Sequence, residues 1–406
     1  MKLALGVAAV ALLPPWTAAD TVPLPTWARS VVPAKAETVI AAAPGRLDVR
    51  RATTLAGGRL PLYGAERGPG CGGRWLHVGL ESWLCSDLAE LSPDPPSDDA
   101  PAAPDGLPFR YFFVGKNGAS GYASLAHAGE DAPDEDLDPG FAVATVEERT
   151  KDGARWVRTR HGTWIDASEL GAARPSGFAG EEVSASLDFA WVLPRRLNVY
   201  STPNRTGKVI ATLARREVVK WREAKGTSVR VTDQGWVDAR ALAHPTLAPP
   251  PPEVAPDERW IDVELSTQTL VAYEGPKPVF ATLVSTGTAT SPETATHKGT
   301  FRIWVKLLSS TMDNLEPPGS DDARPAAEGF RYSMEDVPYV QFFDHAIALH
   351  GVFWHDDFGH VHSHGCVNLA PRDAARLFGF TSPRLTGGLS AILPSHVERG
   401  TVVRVR

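Results

Sequence analysis

Short runs of alternating polar and apolar residues recur from one end of the chain to the other. Runs with a period of two predict strands. Three of them form a weak repeat: Trp75–Gly79 leads to Trp83–Leu88, Trp156–Arg160 leads to Trp164–Leu170, and Ser228–Thr232 leads to Trp236–Leu242. In each copy the second strand starts with Trp, eight residues after the start of the first. A polar turn with an acidic residue and then a leucine close each copy, so each predicts a hairpin. Further on, Arg259–Leu265 and Thr269–Tyr273 alternate on either side of Ser266–Gln268, which predicts another hairpin. Pro278–Ser285, Gly299–Val305 and Thr401–Val405 read as strands, and Val337–Leu349 is largely apolar and aromatic. Residues 308–336 are polar and without periodicity, which predicts a long loop of the kind that forms lids or stays disordered. One segment has helical spacing. Pro371–Phe380 carries Pro in its first turn and Ala374, Leu377 and Phe378 on one face, and predicts a short helix.

Composition turns this pattern into domains. At 406 residues the chain is long enough for two to four of them. Ser92–Pro104 is rich in Pro, Asp and Ser, and Pro245–Pro256 contains four prolines in succession, Pro249 to Pro252. The second run predicts an extended, semi-rigid spacer. The boundaries that follow are a β module at 38–92, a divergent β module at 105–172 with an acidic insert (Glu130–Asp138), a β module at 188–245, a Pro-rich linker at 246–257 and a last domain at 258–406. Lys2, the apolar run Leu3–Leu13 and the small residues Thr17-Ala18-Ala19 read as a signal peptide over 1–19. The run is too short to span a bilayer and ends at Pro14-Pro15, and no later segment is apolar enough to span one. The mature chain is therefore expected to be exported, without a transmembrane span. A net charge of −7, from 41 basic and 48 acidic residues, lacks the basic excess of a nucleic-acid-binding surface.

Three cysteines are present. Cys71 and Cys85 lie 14 residues apart in one module, and Cys366 stands alone. In an oxidising compartment the near pair can form a disulfide and leave an odd thiol. Cys366 lies in a dense stretch, residues 345–369, that also holds His345, His350, His355, His360, His362 and His364. A thiol needs a base to become a good nucleophile, and histidine is the usual one. The Ser, His, Gly and Asn around Cys366 are unlike the apolar surroundings of an inert buried cysteine.

His350-Gly351, followed by Ser363-His364-Gly365-Cys366-Val367-Asn368, resembles the signature of the YkuD family of L,D-transpeptidases. Residues 258–406 resemble its catalytic domain, with Ile261–Leu270 like its opening hairpin and Val284–Gly287 like its next strand end. His297-Lys298-Gly299 stands where many members have Thr-Pro-x-Gly. Leu60–Gly64, Leu197–Pro203 and Gly235–Leu242 resemble parts of bacterial SH3-like (SH3b) domains. The resemblance implies a mainly β chain: a YkuD-type β-sandwich with one or two short helices, preceded by small SH3-like β-barrels. It implies that Cys366 attacks a peptidoglycan stem peptide at an L-to-D peptide bond, forms a thioester, and passes the acyl group to an amine, which crosslinks or remodels the wall. No cofactor is implied.

The residue types fit that chemistry. His350 is the expected base, oriented by the backbone carbonyl of Gly351. The amides of Gly365 and Cys366, with His364, are the expected oxyanion donors, and Ser363 and Asn368 the expected braces of the turn. Asn368, Trp354 and Tyr339 are expected to meet substrate, although aromatic residues at such positions more often pack. His345 reads as structural, and His355, His360 and His362 as rim residues. Stem peptides are the expected partner. For the N-terminal modules, binding of wall polymer and a ligand-free role as spacers or packing partners both stay open.

Three other readings compete. Water in place of the amine gives an L,D-carboxypeptidase. The six histidines with Asp356, Asp357 and Cys366 suggest a zinc hydrolase, and His360 and His364 have the spacing of a helical ligand pair. Against it, Gly359, Val361 and Gly365 make a poor helix, and a tight structural site would carry more cysteines. A non-catalytic wall-binding protein is the third, and the intact Cys366, His350 and His364 weigh against it.

Overall fold

The computed structural model describes residues 21–98, 104–130, 132–315 and 331–406. The expected signal peptide at 1–19, the middle of the Ser92–Pro104 linker and the middle of the 308–336 segment lie outside the described residues. Short strands dominate, and the described α-helices are Leu125–Gly129 and Pro371–Phe380. The chain is mainly β, as its alternation predicts. No described helix is long and apolar enough to cross a membrane.

The chain divides into two compact units, Met1–Ser97 and Asp98–Arg406. In the first, Ser30–Pro33 pairs with both Leu60–Pro61 and Ala89–Ser92. Strand Ser30–Pro33, upstream of the expected boundary at 38, thus supplies the partner of the strand Ala89–Ser92. A second run of strands holds Val39–Ala41, Arg50–Thr54, Ser82–Cys85, Trp75–Gly79 and Gly64–Glu66. Cys71 and Cys85 form a disulfide, packed with Ala41 and the buried Trp75. So small a core gains much from a covalent staple.

The sequence repeat has a common local structure. Each hairpin runs into one turn of 3-10 helix, Ser86–Leu88, Ala167–Glu169 or Ala239–Ala241, and then a short strand. Asp166 and Asp238 cap their turns by accepting the N–H of Ser168 (2.8 Å) and Arg240 (3.0 Å), satisfying donors that a helix start leaves unpaired. The first copy has Cys85 at that position, committed to the disulfide, and no side-chain cap.

In the second unit, the middle module is a sheet in the order Trp164–Asp166, Ala154–Thr159, Ala142–Lys151, Arg110–Val114, Leu170–Ala172. The third module packs the sheet Val218–Lys220, Phe189–Val192, Leu242–Ala243 with a five-stranded sheet built from 196–238, around Val199, Val219, Val229 and Val237.

The Pro-rich linker does not act as a spacer. One continuous core runs from Leu187, Trp191 and Ala243 of the third module into Trp260, Val271, Tyr273, Leu283, Phe358 and Val402, with Ala248 and Val254 of the linker packed against it. Proline removes a donor but keeps its carbonyl. Arg404 and Arg302 donate to the carbonyls of Pro249 (2.9 Å) and Glu253 (2.9 Å), and Tyr273 Oη accepts the N–H of Ala248 (3.1 Å). These contacts lay the extended segment flat on the last domain.

That domain has two sheets. One runs Glu181–Glu182, Lys277–Leu283, Thr269–Glu274, Arg259–Glu264, Val402–Val405, Gly299–Arg302. The other runs Leu389–Ile392, Val305–Asp313, Ser333–Asp344, Ile347–Gly351, Val367–Leu369. Helix Pro371–Phe380 buries Ala374, Leu377 and Phe378. The expected loop over 308–336 is shorter than its polarity suggests. Val305–Asp313 and Ser333–Asp344 pair as far as Asp313↔Ser333. The outer half of the first strand is partly exposed, so ladder hydrogen bonds hold it where alternation fades.

Candidate active site

The histidine stretch crosses the edge of the second sheet. Strand Ile347–Gly351 runs parallel to Val367–Leu369, with Leu349↔Val367 and His350↔Asn368 in register. One step back in that register, Cys366 lies beside Ala348. Ala348 and His350 share a face, because side chains alternate along a strand. Cys366 Sγ donates weakly to the carbonyl of Ala346 (3.7 Å). The side chain is half-buried against Val337, Val340 and Ala348.

His350 is 2% exposed. Its Nδ1–H donates to the carbonyl of Gly351 (3.1 Å), which fixes the tautomer and leaves Nε2 as the lone-pair nitrogen. Burial drives its pKa down to about 4, against the pull of that hydrogen bond. Burial likewise pushes the Cys366 thiol up, opposed by the backbone N–H of Ala348. Both shifts disfavour the charged forms.

The turn before Cys366 is built from its own polar atoms. Ser363 Oγ donates to the carbonyl of Cys366 (2.5 Å) and accepts the N–H of Gly365 (3.2 Å). Gly365 has φ +126°, a conformation that other residues rarely adopt. Its carbonyl accepts from Thr296 Oγ1 (2.6 Å). The Gly365 amide, expected as an oxyanion donor, is thus already engaged by Ser363. Among the described hydrogen bonds, the backbone N–H groups of His364 and Cys366 have no acceptor, so these two remain for a developing negative charge.

Asn368, expected to meet substrate, is 3% exposed. Its side-chain amide lies 2.9 Å from His355 Nε2. His355 Nδ1 accepts the N–H of Asp357 (3.2 Å), so the ring proton sits on Nε2. The carbonyl end of the Asn368 amide is the group that can accept it, an assignment made from the hydrogen-bond network. Burial, and after it the neighbouring His362, lowers the pKa of His355 to about 4. His355, expected on the rim, is partly buried and meets Asn368 of strand Val367–Leu369, which follows Cys366 directly.

Family comparison bears on this geometry. Residues 258–405 match the YkuD family model, described as the L,D-transpeptidase catalytic domain. The C-terminal domain belongs to that family. Solved structures similar to the chain include the catalytic domain of an E. faecium L,D-transpeptidase, at 26% identity over 37% of this chain and 98% of that one, with a TM-score of 0.26. An L,D-transpeptidase from Stackebrandtia nassauensis is 27% identical over 38% and 58% of the two chains (TM-score 0.25). One from Mycobacterium smegmatis is 16% identical over 65% and 99% (TM-score 0.27). No curated protein matches the chain.

Within this L,D-transpeptidase domain the other expected residues fall into three groups. His364, His360 and His362 are exposed, the last two beside Asp357. Trp354 is partly buried, with its ring 6.0 Å from that of His350. Tyr339 is 5% exposed and packs on Phe378 (5.4 Å), so it belongs to the core and not to a substrate groove. His345 occupies an exposed turn at φ +46°. Among the described residues, the grouping of potential metal ligands within reach of one another is Cys71, Cys85 and Asp87, and those two thiols are tied in the disulfide.

Both preceding modules grip the loop between His350 and Ser363. From the middle module, Tyr111 stacks on Phe353 (4.0 Å) and Phe113 packs beside it (5.9 Å). Tyr111 Oη donates to the carbonyl of Asp336 (2.6 Å), and Arg160 meets its carboxylate (3.0 Å). From the third module, Arg215 donates to Asp357 (2.9 Å) and Arg216 to Asp356 (2.6 Å). A methyl on Gly359 would lie 2.5 Å from Leu193 Cδ2. Sequence reasoning missed Phe353, Arg215 and Arg216, whose partners are distant in the chain.

Proposed function

We propose that the chain is a peptidoglycan L,D-transpeptidase that works through a Cys366 thioester. The observation that carries the reading is the parallel register that sets Cys366 and a neutral His350 on adjacent strands, with Nδ1 of His350 occupied by Gly351. His350 Nε2 takes the thiol proton as Sγ attacks the carbonyl of an L-to-D peptide bond in a stem peptide. The amides of His364 and Cys366 stabilise the oxyanion. The proton then leaves with the departing D-residue as its amine, and the thioester passes to an incoming amine. Export to the periplasm or wall is part of the proposal, supported by the leader-like sequence and the Cys71–Cys85 disulfide. So are the SH3-like character of the modules and the boundaries drawn for them.

The test is intact mass after incubation with a carbapenem, a mimic of the acyl donor, on the parent chain and on Cys366→Ala. A single drug-sized adduct on the parent, absent from the variant, supports the reading. No adduct on folded parent protein sinks it. Supplying a stem peptide with and without an amine acceptor then separates transpeptidation from L,D-carboxypeptidation.

A further inference from the structure

The third module carries a basic hollow of about 770 Å³, lined by Arg196, Arg205, Arg240, Asp238, Tyr200 and, from the catalytic domain, His360 among others. Its charge is unbalanced. Asp238 is the one carboxylate in the lining, and two guanidinium groups share it: Arg205 (2.5 Å) and Arg240 (2.9 Å). Arg196 is exposed and makes no ion pair among the described residues. Three arginines against one carboxylate leave a surplus of two positive charges, in a chain whose net charge is −7. The rim is also strained. Asn204 and Arg205 both have φ +60°, and Asn204 donates its N–H to Ser228 Oγ (2.9 Å). Consecutive left-handed residues other than glycine cost conformational energy and tend to mark ligand clamps. Here they hold Arg205 over the hollow.

We infer that this hollow binds a carboxylate-bearing peptide, a second stem peptide beside the one being processed. Guanidinium forks match planar carboxylates in a bidentate way. The volume suits a peptide segment better than a lone anion, and Leu193, Pro194 and Leu197 offer apolar surface to its side chains. His360 ties the hollow to the catalytic stretch. It stands beside Asp357, which also neighbours His362, and His362 packs on His355 (4.3 Å between rings), the brace of Asn368. The choice of a stem peptide rests on the proposed function, whereas the surplus of positive charge does not.

The experiment measures binding of a soluble tetrapeptide stem with free carboxylates to the full chain carrying Cys366→Ala, which prevents turnover. The same chain is then tested with Arg196→Gln, and with Arg196→Gln and Arg240→Gln together. The double variant is expected to weaken binding at least about tenfold and the single about threefold, with the loss shrinking as salt rises. A tetrapeptide with amidated carboxylates is expected to bind the parent weakly and to be indifferent to the substitutions. Equal binding by parent and single variant overturns the proposal, as does equal binding of the amidated peptide. Arg196 has no ion pair to lose, so the single variant keeps the test valid if the double variant fails to fold. Displacement by inorganic phosphate, with no effect of amidation, reassigns the hollow to phosphate and also overturns it. Carbapenem adduct formation on the Cys366-intact chain is scored separately. Its absence counts against the catalytic reading and leaves the effect of the arginines on binding as measured.

Discussion

The middle and third modules hold the same loop by different physics. The middle module grips it at Phe353, which is 1% exposed and enclosed by Leu107, Tyr111, Ala142 and Ala144. The third grips it at Asp356 and Asp357 with two partly exposed arginines, one of them lying over Phe178 (5.1 Å). One end is therefore held by burial, which salt hardly touches. The other is held by charge pairs, which salt screens. The loop leads from the expected base, His350, to the turn before Cys366, so its two holds bear on the site from both sides. Both modules are packing partners of this loop, and they hold it by different means.

The largest effect is expected where burial does the holding. Phe353→Ala removes a stacked, fully enclosed ring and should cost about 3–5 kcal/mol, read by denaturant unfolding, with little dependence on salt. A cost below about 1 kcal/mol would break the contrast.

Acid tests the imidazoles of His350 and His355. An unfolded histidine titrates near 6.5, whereas burial lowers His350 and His355 to about 4. Between those values the unfolded chain binds more protons. Stability is therefore full above about pH 6.5 and is lost as pH falls toward 4, on the order of 3 kcal/mol for each imidazole. His350→Gln should flatten that slope in part and leave the share owed to His355. An unchanged slope in unfolding from pH 7 to 4 would count against the burial argument.

Gly359→Ala sharpens the fit at the third module. It places a side chain at φ +96° against Leu193 and should cost about 1–3 kcal/mol. Leu193→Ala should recover the steric part and not the backbone part. The smallest effect is expected at the charged hold. Arg215→Ala should cost about 1 kcal/mol or less at low salt and nearly nothing at 1 M salt, where the Debye length falls to roughly 3 Å. A cost that persists at high salt would show that the stem of Arg215, and not its charge, does the holding.

Much of this was legible along the chain. The hairpin Arg259–Leu265/Thr269–Tyr273 and the helix Pro371–Phe380 have periods that local geometry dictates, and the structure has them within a residue or so. The triple repeat predicted three like hairpins, and Asp166 and Asp238 cap like turns. Less legible were segments whose order comes from partners far away. Leu308–Asp313 looks like loop because most of it is partly exposed on both faces. The Pro-rich run looks like a spacer because its partners are Tyr273, Arg302 and Arg404, and nothing nearby in sequence announces them. At the site, the motif pointed to Cys366 and His350. It misled at Gly365, whose amide is consumed by Ser363, and at His355, whose role depends on reaching Asn368 across a turn.

The sequence by itself determined the strand-rich chain, the chemistry-bearing residues and their spacing, because period, turn residues and reactive groups are local properties. Only the tertiary structure decided that His350, Asn368 and Tyr339 are buried, and that two preceding modules pack on the loop from His350 to Ser363. Burial and register are relations between distant segments, such as Phe353 on Tyr111 or Asp336 under Arg160, 176 residues away. No window along the chain contains both partners of such a contact.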